Sequence, residues 1–256
     1  MANSSKIEWT EATWNPTTGC TKISEGCKNC YAEKLTKRLK AMNVKKYKNG
    51  FKFTHHPNEV DLPFLWKKPR KIFVNSMSDL FHESADLEFV AQCFLTMDLA
   101  DWHQYQVLTK RAEIMLKFIE YYKTIFKKTI AKHIWLGVSV ENQKNVYRVD
   151  HLRRIDCPIK FVSFEPLIGS VGKVDLTNIQ WAIIGGESGS NYRAVREEWI
   201  QEIIEQCEEQ KVRIFFKQWG GFRPTSNGRV INSRTYDEYP ERQELKGSKH
   251  ELLIQG

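Results

Sequence analysis

Three cysteines near the start of the chain have the type and spacing of metal ligands. Cys27 and Cys30 form a C-x-x-C pair, and Cys20 precedes them across a six-residue gap that contains Gly26. A C-x-x-C pair brings two sulfurs to one metal site, and cysteine is the usual ligand for each iron of an iron–sulfur cluster. Three local thiolates therefore suit a four-iron cluster with one iron left open, and a site with an open position is arranged for catalysis.

Two other interpretations of these cysteines are open. Structural zinc takes four ligands in a closed shell, and the fourth would have to come from a distance, from His55 or His56. A thioredoxin-like redox pair would leave Cys20 unused. The remaining cysteines lie scattered in apolar or helical segments, where we expect small core residues rather than disulfide partners. They are Cys93, Cys157 and Cys207.

The composition describes a globular chain that suits a polyanionic partner. Its 256 residues are 41% apolar and carry a formal net charge of +8, with a pI of about 9.1. This charge fits nucleic acid, although many equally basic proteins bind nothing acidic. No apolar run reaches the length of about 18 residues that a membrane span needs. The opening residues lack the basic start and apolar block of a signal peptide, so we expect a cytoplasmic protein.

The cysteines and any partners must be positioned by the elements around them. Short, almost uncharged runs rich in β-branched and aromatic residues predict strands covered on both faces, and helical patterns lie between them. This alternation predicts parallel pairing through right-handed crossovers. We therefore predict an α/β fold, a complete or partial (β/α) barrel, with an open doubly wound sheet as the alternative. The predicted strands are Lys71–Asn75, Tyr105–Leu108, Ile134–Val138, Ile159–Val162, Trp181–Ile184 and Val212–Phe216, with a weaker one at Ala12–Asn15, and the predicted helices are Tyr31–Ala41, Leu87–Ala100, Ala112–Phe126 and Glu197–Gln210.

Two regions of the chain differ in pattern. Residues 1–220 contain all the predicted strands and helices and form the predicted barrel domain, with the cysteines in an N-terminal loop. Residues 221–256 are polar, rich in turn formers and weakly patterned. We expect this second region to be a C-terminal cap or tail, because no repeat or low-complexity linker marks a further domain.

Charged and amide side chains follow nearly every predicted strand. In a parallel barrel the carboxyl ends of the strands meet at one mouth, where functional groups collect. Polar strand ends are also the default in any sheet, which accounts for one or two of them. The paired Gly185 and Gly186 suit close approach of a ligand, since glycine has no side chain to block it. The strand-end residues are Asn75, Ser76, Lys110, Arg111, Glu141, Glu165, Glu187 and Lys217.

Several of these segments resemble a known family. They are similar to the three-Cys-motif proteins of phages and bacteria, a family without an assigned function, and the likeness runs over nearly the whole chain. That family in turn resembles the radical S-adenosylmethionine (SAM) superfamily, including the spore photoproduct lyase branch that repairs DNA. The segments are Trp14–Tyr31, Val107–Arg111, Trp135–Asn142, Phe161–Leu167, Trp181–Gly189 and Phe215–Gly221.

The resemblance implies a pair of cofactors. It places a 4Fe–4S cluster on Cys20, Cys27 and Cys30 and implies SAM as the ligand of the open iron. In that superfamily, one electron from the reduced cluster cleaves SAM to a 5′-deoxyadenosyl radical, which abstracts hydrogen from the substrate. A reductant of the flavodoxin or ferredoxin type is implied as the electron donor.

The same resemblance divides the strand-end residues into two groups. The residues that it places near SAM are Asn75, Ser76, Glu141, Gly185, Gly186 and Glu187. The residues left to face the substrate, or to neutralise the SAM carboxylate, are Lys110, Arg111, Glu165 and Lys217. Buried Glu165–Lys110 or Glu187–Arg111 pairs that only tie strands together are the structural alternative.

Basic and aromatic residues interleave in two predicted loops, Lys45–Phe53 and Phe64–Lys71. Phosphates favour Lys and Arg, and bases stack on aromatic rings, so nucleic acid is the preferred substrate class, in DNA repair or modification. The alternative is a solvated loop whose rings anchor it to the core. Two other functions stay open: a metal-stabilised nucleic-acid-binding module without turnover, and a barrel hydrolase with Glu165 and Glu187 as acid and base.

Overall fold

The computed structural model of the chain describes residue 5 and residues 7–223 and 227–240. Its strands are β1 (Ala12–Trp14), β2 (Thr17–Thr18), β3 (Thr54–His55), β4 (Lys71–Val74), β5 (Gln104–Thr109), β6 (Ile134–Ser139), β7 (Lys160–Leu167), β8 (Trp181–Gly186) and β9 (Arg213–Gln218). Seven of them form one parallel sheet in the order β1-β4-β5-β6-β7-β8-β9, and β2 and β3 form a small antiparallel pair. Within the described residues β1 and β9 do not pair, so the sheet is a partial barrel. The predicted α/β barrel class is confirmed.

In the described residues, five α-helices lie between these strands. They are α1 (Tyr31–Ala41), α2 (Leu87–Leu99), α3 (Ala112–Phe126), α4 (Tyr147–Arg153) and α5 (Glu197–Glu209). The helix α2 begins where the Asp86 carboxylate accepts the amide of Phe89 at 2.9 Å, an N-cap that satisfies one of the free donors of the first turn. Buried side chains of α2, α3 and α5 join the outward-facing side chains of the strands in one continuous core.

The two faces of the sheet contain different residues, because successive side chains of a strand point to opposite sides. Outward residues such as Val107 and Leu136 pack against the helices. Inward residues form a second, mostly aromatic cluster that fills the barrel interior near the amino ends of the strands. A Cβ at Gly137 would lie 2.5 Å from the ring of Phe161, so this glycine makes room for that ring. The inner cluster is Trp9, Phe73, Trp135, Phe161, Trp181, Ile183 and Phe215.

Two connections differ from the predicted alternation. The helix α4 was not predicted, because its seven residues are too few to show a clear helical period. No helix lies between β7 and β8: residues 168–180 cross the sheet as an irregular segment. Four of its apolar side chains are buried and cover the sheet as a helix would otherwise do. They are Val171, Val174, Leu176 and Ile179.

The segment that follows β9 returns along the sheet. The amide of Phe216 donates to the carbonyl of Tyr236 at 2.9 Å, and the indole of Trp181 donates to the carbonyl of Glu238 at 2.8 Å. The division of the chain at residue 220 stays a prediction, and residues 241–256 of the predicted cap or tail lie outside the described residues. In the part of the chain that the structure describes, no helix has the length and apolar character to cross a membrane.

Candidate functional site

The three clustered cysteines lie on one loop at the carboxyl ends of the strands. We call residues 19–30 the cysteine loop; its three thiols are free and half-buried. Gly19 begins the loop with φ of 78°, and a Cβ at this position would collide with the carbonyl of Lys52. The Gly19 amide donates to Met77 at 3.0 Å, and the Cys20 amide donates to Phe51 at 3.2 Å. The start of the loop is therefore fixed by backbone contacts.

The end of β5 holds the first cysteine. Arg111 is 7% exposed, and its guanidinium lies 3.5 Å from the sulfur of Cys20 and donates to the hydroxyl of Thr21 at 2.8 Å. The same guanidinium pairs with Asp79 at 3.1 Å and Glu83 at 2.7 Å. Two carboxylates thus fix the direction of a cation that contacts a cysteine. Bidentate or forked contacts of this kind are typical of arginine in buried ion pairs.

The end of β6 holds the second cysteine through a buried carboxylate. Glu141 is fully buried and pairs with Lys110 at 3.3 Å and Arg148 at 2.9 Å. Its other contact is the hydroxyl of Ser24, which donates to it at 2.7 Å and lies 3.7 Å from the sulfur of Cys27. Burial alone would raise the pKa of Glu141, but the two cations and Ser24 outweigh it and lower that pKa. Glu141 is therefore an ionised carboxylate that ties the cysteine loop to the barrel.

Close packing over Glu141 depends on a glycine of the loop. A Cβ at Gly26 would collide with the Glu141 side chain. Only a residue without a side chain lets the loop backbone lie directly on the carboxylate.

The end of β8 holds the loop beside the third cysteine. Glu187 is 5% exposed, and its carboxylate accepts the side-chain amide of Asn29 at 2.9 Å and the backbone amide of Arg193 at 2.9 Å. The Arg193 guanidinium completes an ion pair with the same carboxylate. Burial opposes ionisation, yet Arg193 and Asn29 lower the pKa of Glu187. Asn29 also donates to the carbonyl of Asn191 at 2.6 Å.

The end of β4 is reached from the residue after the third cysteine. The hydroxyl of Tyr31 donates to the carbonyl of Ser76. The residue as a whole is 53% exposed, whereas its hydroxyl lies among protein groups. Burial of that hydroxyl, together with the nearby Cys30 and Glu165, raises the pKa of Tyr31.

An ion pair lies inside the barrel below the loop. Glu165 and Lys217 are 3.0 Å apart, with side chains 15% and 22% exposed. They continue the inward-facing positions of β7 and β9, and the hydroxyl of Ser163 donates to Glu165 at 3.2 Å. A Cβ at Gly185 would lie 2.7 Å from the Glu165 carboxylate. This glycine therefore makes room for a side chain of the barrel itself.

The remaining rim residues that were predicted to lie near SAM have two kinds of environment. A Cβ at Gly186 would collide with the carbonyl of Trp219, so the absence of a side chain serves packing against the protein. Asn75 is 3% exposed and donates to Thr17 at 2.5 Å. Its side-chain oxygen is buried and has no hydrogen-bond partner among the described residues. Such an acceptor is available to a ligand, because leaving it unpaired costs free energy.

Residues 4–240 match a family described as "Protein of unknown function (DUF5131)". The chain belongs to this family. No curated protein matches its sequence. Among solved structures, the DUF5131 chain is similar to "Spore photoproduct lyase complexed with dinucleoside spore photoproduct", at 10% identity and a TM-score of 0.41. That match covers 82% of this chain and 64% of the other, so this chain spans less than two thirds of the length of the structure that it matches.

The donor chemistry of the cysteine loop fits an iron–sulfur cluster. It offers three free thiols, with Arg111 beside Cys20 and with Lys22 in electrostatic range of Cys27 and Cys30. Burial, together with Asp79, raises the pKa of Cys20 to about 11 in spite of Arg111. The free thiol is thus protonated at neutral pH, and metal binding would have to release its proton.

Among the described residues no ligand group for a metal ion is assembled, and this holds for the cysteine loop whichever metal is considered. Zinc–sulfur bonds of about 2.3 Å bring the sulfurs of a tetrahedral site within about 4 Å of each other. In the described part of the chain, no three His, Cys, Asp or Glu side chains gather so that they could hold one ion. His55 and His56, the candidates for a fourth ligand, contact the amide of Asp86 and the hydroxyl of Thr18 instead.

Glu165 and Glu187 pair with cations other than those that the structural alternative predicted. The pairs Glu165–Lys110 and Glu187–Arg111 do not form; Glu165 contacts Lys217 and Glu187 contacts Arg193. The physical reason is reach, because Glu165 meets a cation two strands away across the barrel interior and Glu187 meets one six residues along the chain. Lys110 is taken by Glu141, and Arg111 is taken by Asp79 and Glu83.

The two basic and aromatic loops differ in structure. In the second loop, Phe64 and Trp66 pack against the core, and the indole of Trp102 donates to the carbonyl of Trp66 at 2.8 Å. Its rings therefore anchor the loop, as the alternative interpretation held. In the first loop, Lys45 and Lys48 are exposed.

Several residues that complete the site were not identified from the sequence. Ser24 and Asn29 lie between the cysteines, and two polar side chains in a loop of clustered cysteines are a usable signal. No sequence signal marks the others, because their partners are distant in the chain or face a turn. They are Asp79, Arg148 and Arg193.

Proposed function

We propose that this chain is an iron–sulfur enzyme of the radical SAM type, with a 4Fe–4S cluster held by Cys20, Cys27 and Cys30. One observation carries the proposal: each cysteine, directly or through its neighbour in the loop, is tied to a different strand end of a parallel partial barrel. A loop fixed in this way presents its thiols toward the mouth where barrel enzymes have their active sites. When bound, such a cluster with one open iron supplies the electron that cleaves SAM.

The residues of the chain have three tasks in this proposal. Arg111 places a fixed positive charge beside Cys20 and favours the thiolate form that binds metal. Glu141 and Glu187 position the loop, because their carboxylates are occupied by protein partners. The aromatic cluster closes the barrel below the site and excludes water from that side.

The proposed contacts of SAM and substrate therefore differ from the division of rim residues that the family resemblance implies. Lys217 and Glu165 face the barrel interior and are the groups best placed to contact an ammonium, a carboxylate or a substrate proton. Asn75 offers a buried free acceptor. Glu187 is held by Arg193 and Asn29 with a lowered pKa, so protein partners occupy one of the two carboxylates that the barrel hydrolase would use as acid and base.

We further propose nucleic acid as the substrate class, in DNA repair or modification. Support comes from the formal net charge of +8, since phosphate backbones attract basic surfaces. A base in a duplex would have to leave the stack to enter the barrel mouth. A flavodoxin- or ferredoxin-type reductant is the proposed electron donor.

Anaerobic preparation of the full chain with iron and sulfide tests the proposal. We expect about four irons per chain, visible iron–sulfur absorption, and release of 5′-deoxyadenosine from SAM when a reductant is added. Each of the variants Cys20→Ala, Cys27→Ala and Cys30→Ala should abolish all three: the bound iron, the absorption and the release of 5′-deoxyadenosine. The matched control is Cys157→Ala, which removes a buried thiol outside the loop and should keep the iron.

Two outcomes would overturn the proposal in favour of a named alternative. One zinc per chain, with no SAM cleavage, would indicate the metal-stabilised nucleic-acid-binding module. Hydrolytic activity that persists undiminished in Cys27→Ala would indicate the barrel hydrolase.

A further inference from the structure

The positive charge of the chain is concentrated beside the cysteine loop. Residues 21–53 contain ten Lys or Arg and two Glu, a net charge of +8, which equals the net charge of the whole chain. The rest of the sequence is therefore neutral overall. Cations gathered on one part of a surface produce a local potential that scattered cations do not.

Several of these cations are exposed and have no ion pair with a described residue. Lys34 and Arg38 are one turn apart on α1, and Lys45 lies in the loop beyond it; all three are exposed. The acidic partners in this region are taken elsewhere, because Glu33 pairs with Lys22 and Lys37 and Glu59 pairs with Lys46.

Exposed apolar side chains lie beside these cations on α1. Tyr31 and Leu35 are 53% and 39% exposed. Residues three and four apart share a face of a helix, so the two apolar side chains form a stripe that runs alongside Lys34 and Arg38. The stripe begins at the barrel mouth, where the Tyr31 hydroxyl meets the end of β4.

The opposite side of the mouth also presents exposed rings. Tyr192 and Phe222 are 42% and 68% exposed. Both neighbour Gly189, whose carbonyl accepts the Tyr192 amide and whose amide donates to Gly221 at 2.9 Å. The Nζ atom of Lys34 lies 3.5 Å from the position that a Cβ at Gly189 would take. Lys34 of α1 and these rings therefore border the same opening.

We propose that this surface, the α1 patch, binds single-stranded nucleic acid and leads a base into the barrel mouth. The patch consists of Lys34, Arg38 and Lys45 with Tyr192 and Phe222 at its edge. Lys and Arg contact phosphates, and exposed rings stack on bases that are not paired in a duplex. The inference rests on the proposed function, because the opening that the patch borders is the one beneath the cysteine loop.

Fluorescence anisotropy of the anaerobically reconstituted full chain with a labelled single-stranded DNA oligonucleotide, over a salt series, tests the charged part of the patch. For the triple variant Lys34→Ala, Arg38→Ala and Lys45→Ala we expect at least about tenfold weaker binding at 0.1 M salt. The slope of log affinity against log salt should become shallower by about 2, since each lost phosphate contact removes about 0.7. The control removes three exposed cations that lie outside residues 21–53 and should change neither quantity: Lys123→Ala, Lys132→Ala and Lys173→Ala.

A second variant tests the aromatic part. Phe222→Ala should weaken binding about tenfold, the range of one lost base stack, and leave the salt slope unchanged. Ile125→Ala, which removes an exposed apolar side chain of α3, is the control and should bind as the unaltered chain does.

The results separate this inference from the proposed function because the iron content is measured on each preparation. Three results would overturn the proposal for the α1 patch without contradicting the proposed cluster. They are a chain that loads iron but binds no DNA, a triple variant that binds as the unaltered chain does, and equal competition by polyglutamate. DNA binding that follows the expected pattern in a chain without iron overturns the cluster and leaves the patch.

Discussion

The carboxylates at the barrel rim act mainly on the protein itself. Glu141 is enclosed by Lys110, Arg148 and Ser24, and it has no exposed surface. A buried carboxylate with two cations and a hydroxyl is ionised and fixed in direction. Its effect on a cluster would be indirect, through the position of Ser24 and hence of Cys27.

Ser24→Ala tests this indirect role at the scale of one residue. The change removes the donor to Glu141 but leaves its two cations in place, so we expect the free energy of unfolding to fall by about 1 kcal/mol. We also expect a clear loss of bound iron after anaerobic reconstitution, because the loop loses its tie to β6. Urea unfolding and iron analysis of the same preparation measure the two effects.

The control for this variant is Ser170→Ala, which breaks a comparable Ser–Glu hydrogen bond, to Glu202 at 2.7 Å, on the exposed surface. It should keep the full iron content. Equal iron content in both variants would show that Ser24 has no positioning role.

Residue types at the rim were predictable from the sequence, but their partners were not. The strand-end rule located Glu141, Glu187 and Arg111 at the mouth, because every parallel strand ends on the same side. Which carboxylate meets which cation depends on side-chain reach across the barrel, and the sequence does not contain that distance. The pairing of Glu165 with Lys217 links two strands that are not neighbours in the sheet.

At the scale of elements, the sequence patterns located all seven strands of the main sheet, and the helices α1 and α3 have the predicted bounds. Strong periodicity made this possible: α3, for example, buries Met115, Phe118 and Ile119 on one face. Short elements were not predicted, because the seven residues of α4 and the two residues of β2 are too few to show a periodic pattern. The segment 168–180 covers the sheet with irregular backbone, for which no periodic pattern exists.

The start of α2 offers a test at this scale. Asp86→Ala removes the side chain that accepts the amide of Phe89, and we expect it to lower the free energy of unfolding by about 1 kcal/mol. Asp86→Asn keeps an oxygen in the same place and should stay within a few tenths of that of the unaltered chain. Urea unfolding followed by tryptophan fluorescence measures both. A similar loss in the two variants would assign the effect to the charge of Asp86 instead of the cap.

The whole molecule combines a neutral barrel with one basic side. The sequence revealed the total charge, but only the fold shows that Lys34, one of the cations of residues 21–53, lies beside Gly189 just beyond the end of β8. The environment of the histidines is likewise known only from the fold. Burial lowers the pKa of four histidines: His55, His56, His82 and His103.

The buried position of His103 predicts how the stability of the whole molecule depends on pH in the acid range. It is fully buried, accepts the amide of Arg70 at 3.2 Å on Nδ1, and faces the carbonyl of Pro63 at 3.0 Å with Nε2. The neutral ring satisfies both contacts, and burial lowers its pKa from 6.5 to about 4. A group whose pKa is lower in the folded chain takes up its proton in the unfolded chain first, so stability is lost as pH falls from about 6.5 toward 4.

We therefore expect the free energy of unfolding to decrease over this pH range, by up to roughly 3 kcal/mol from His103 alone. His103→Gln should be less stable at pH 7 yet show a shallower decrease, with the remainder coming from the other three histidines. Urea titrations at pH 7, 6 and 5 measure the slopes. Removing a titrating site must remove its share of the protons that are taken up on unfolding. If the free energy of unfolding falls with pH equally steeply in the unaltered chain and in His103→Gln, this ring is not the group that couples protonation to unfolding.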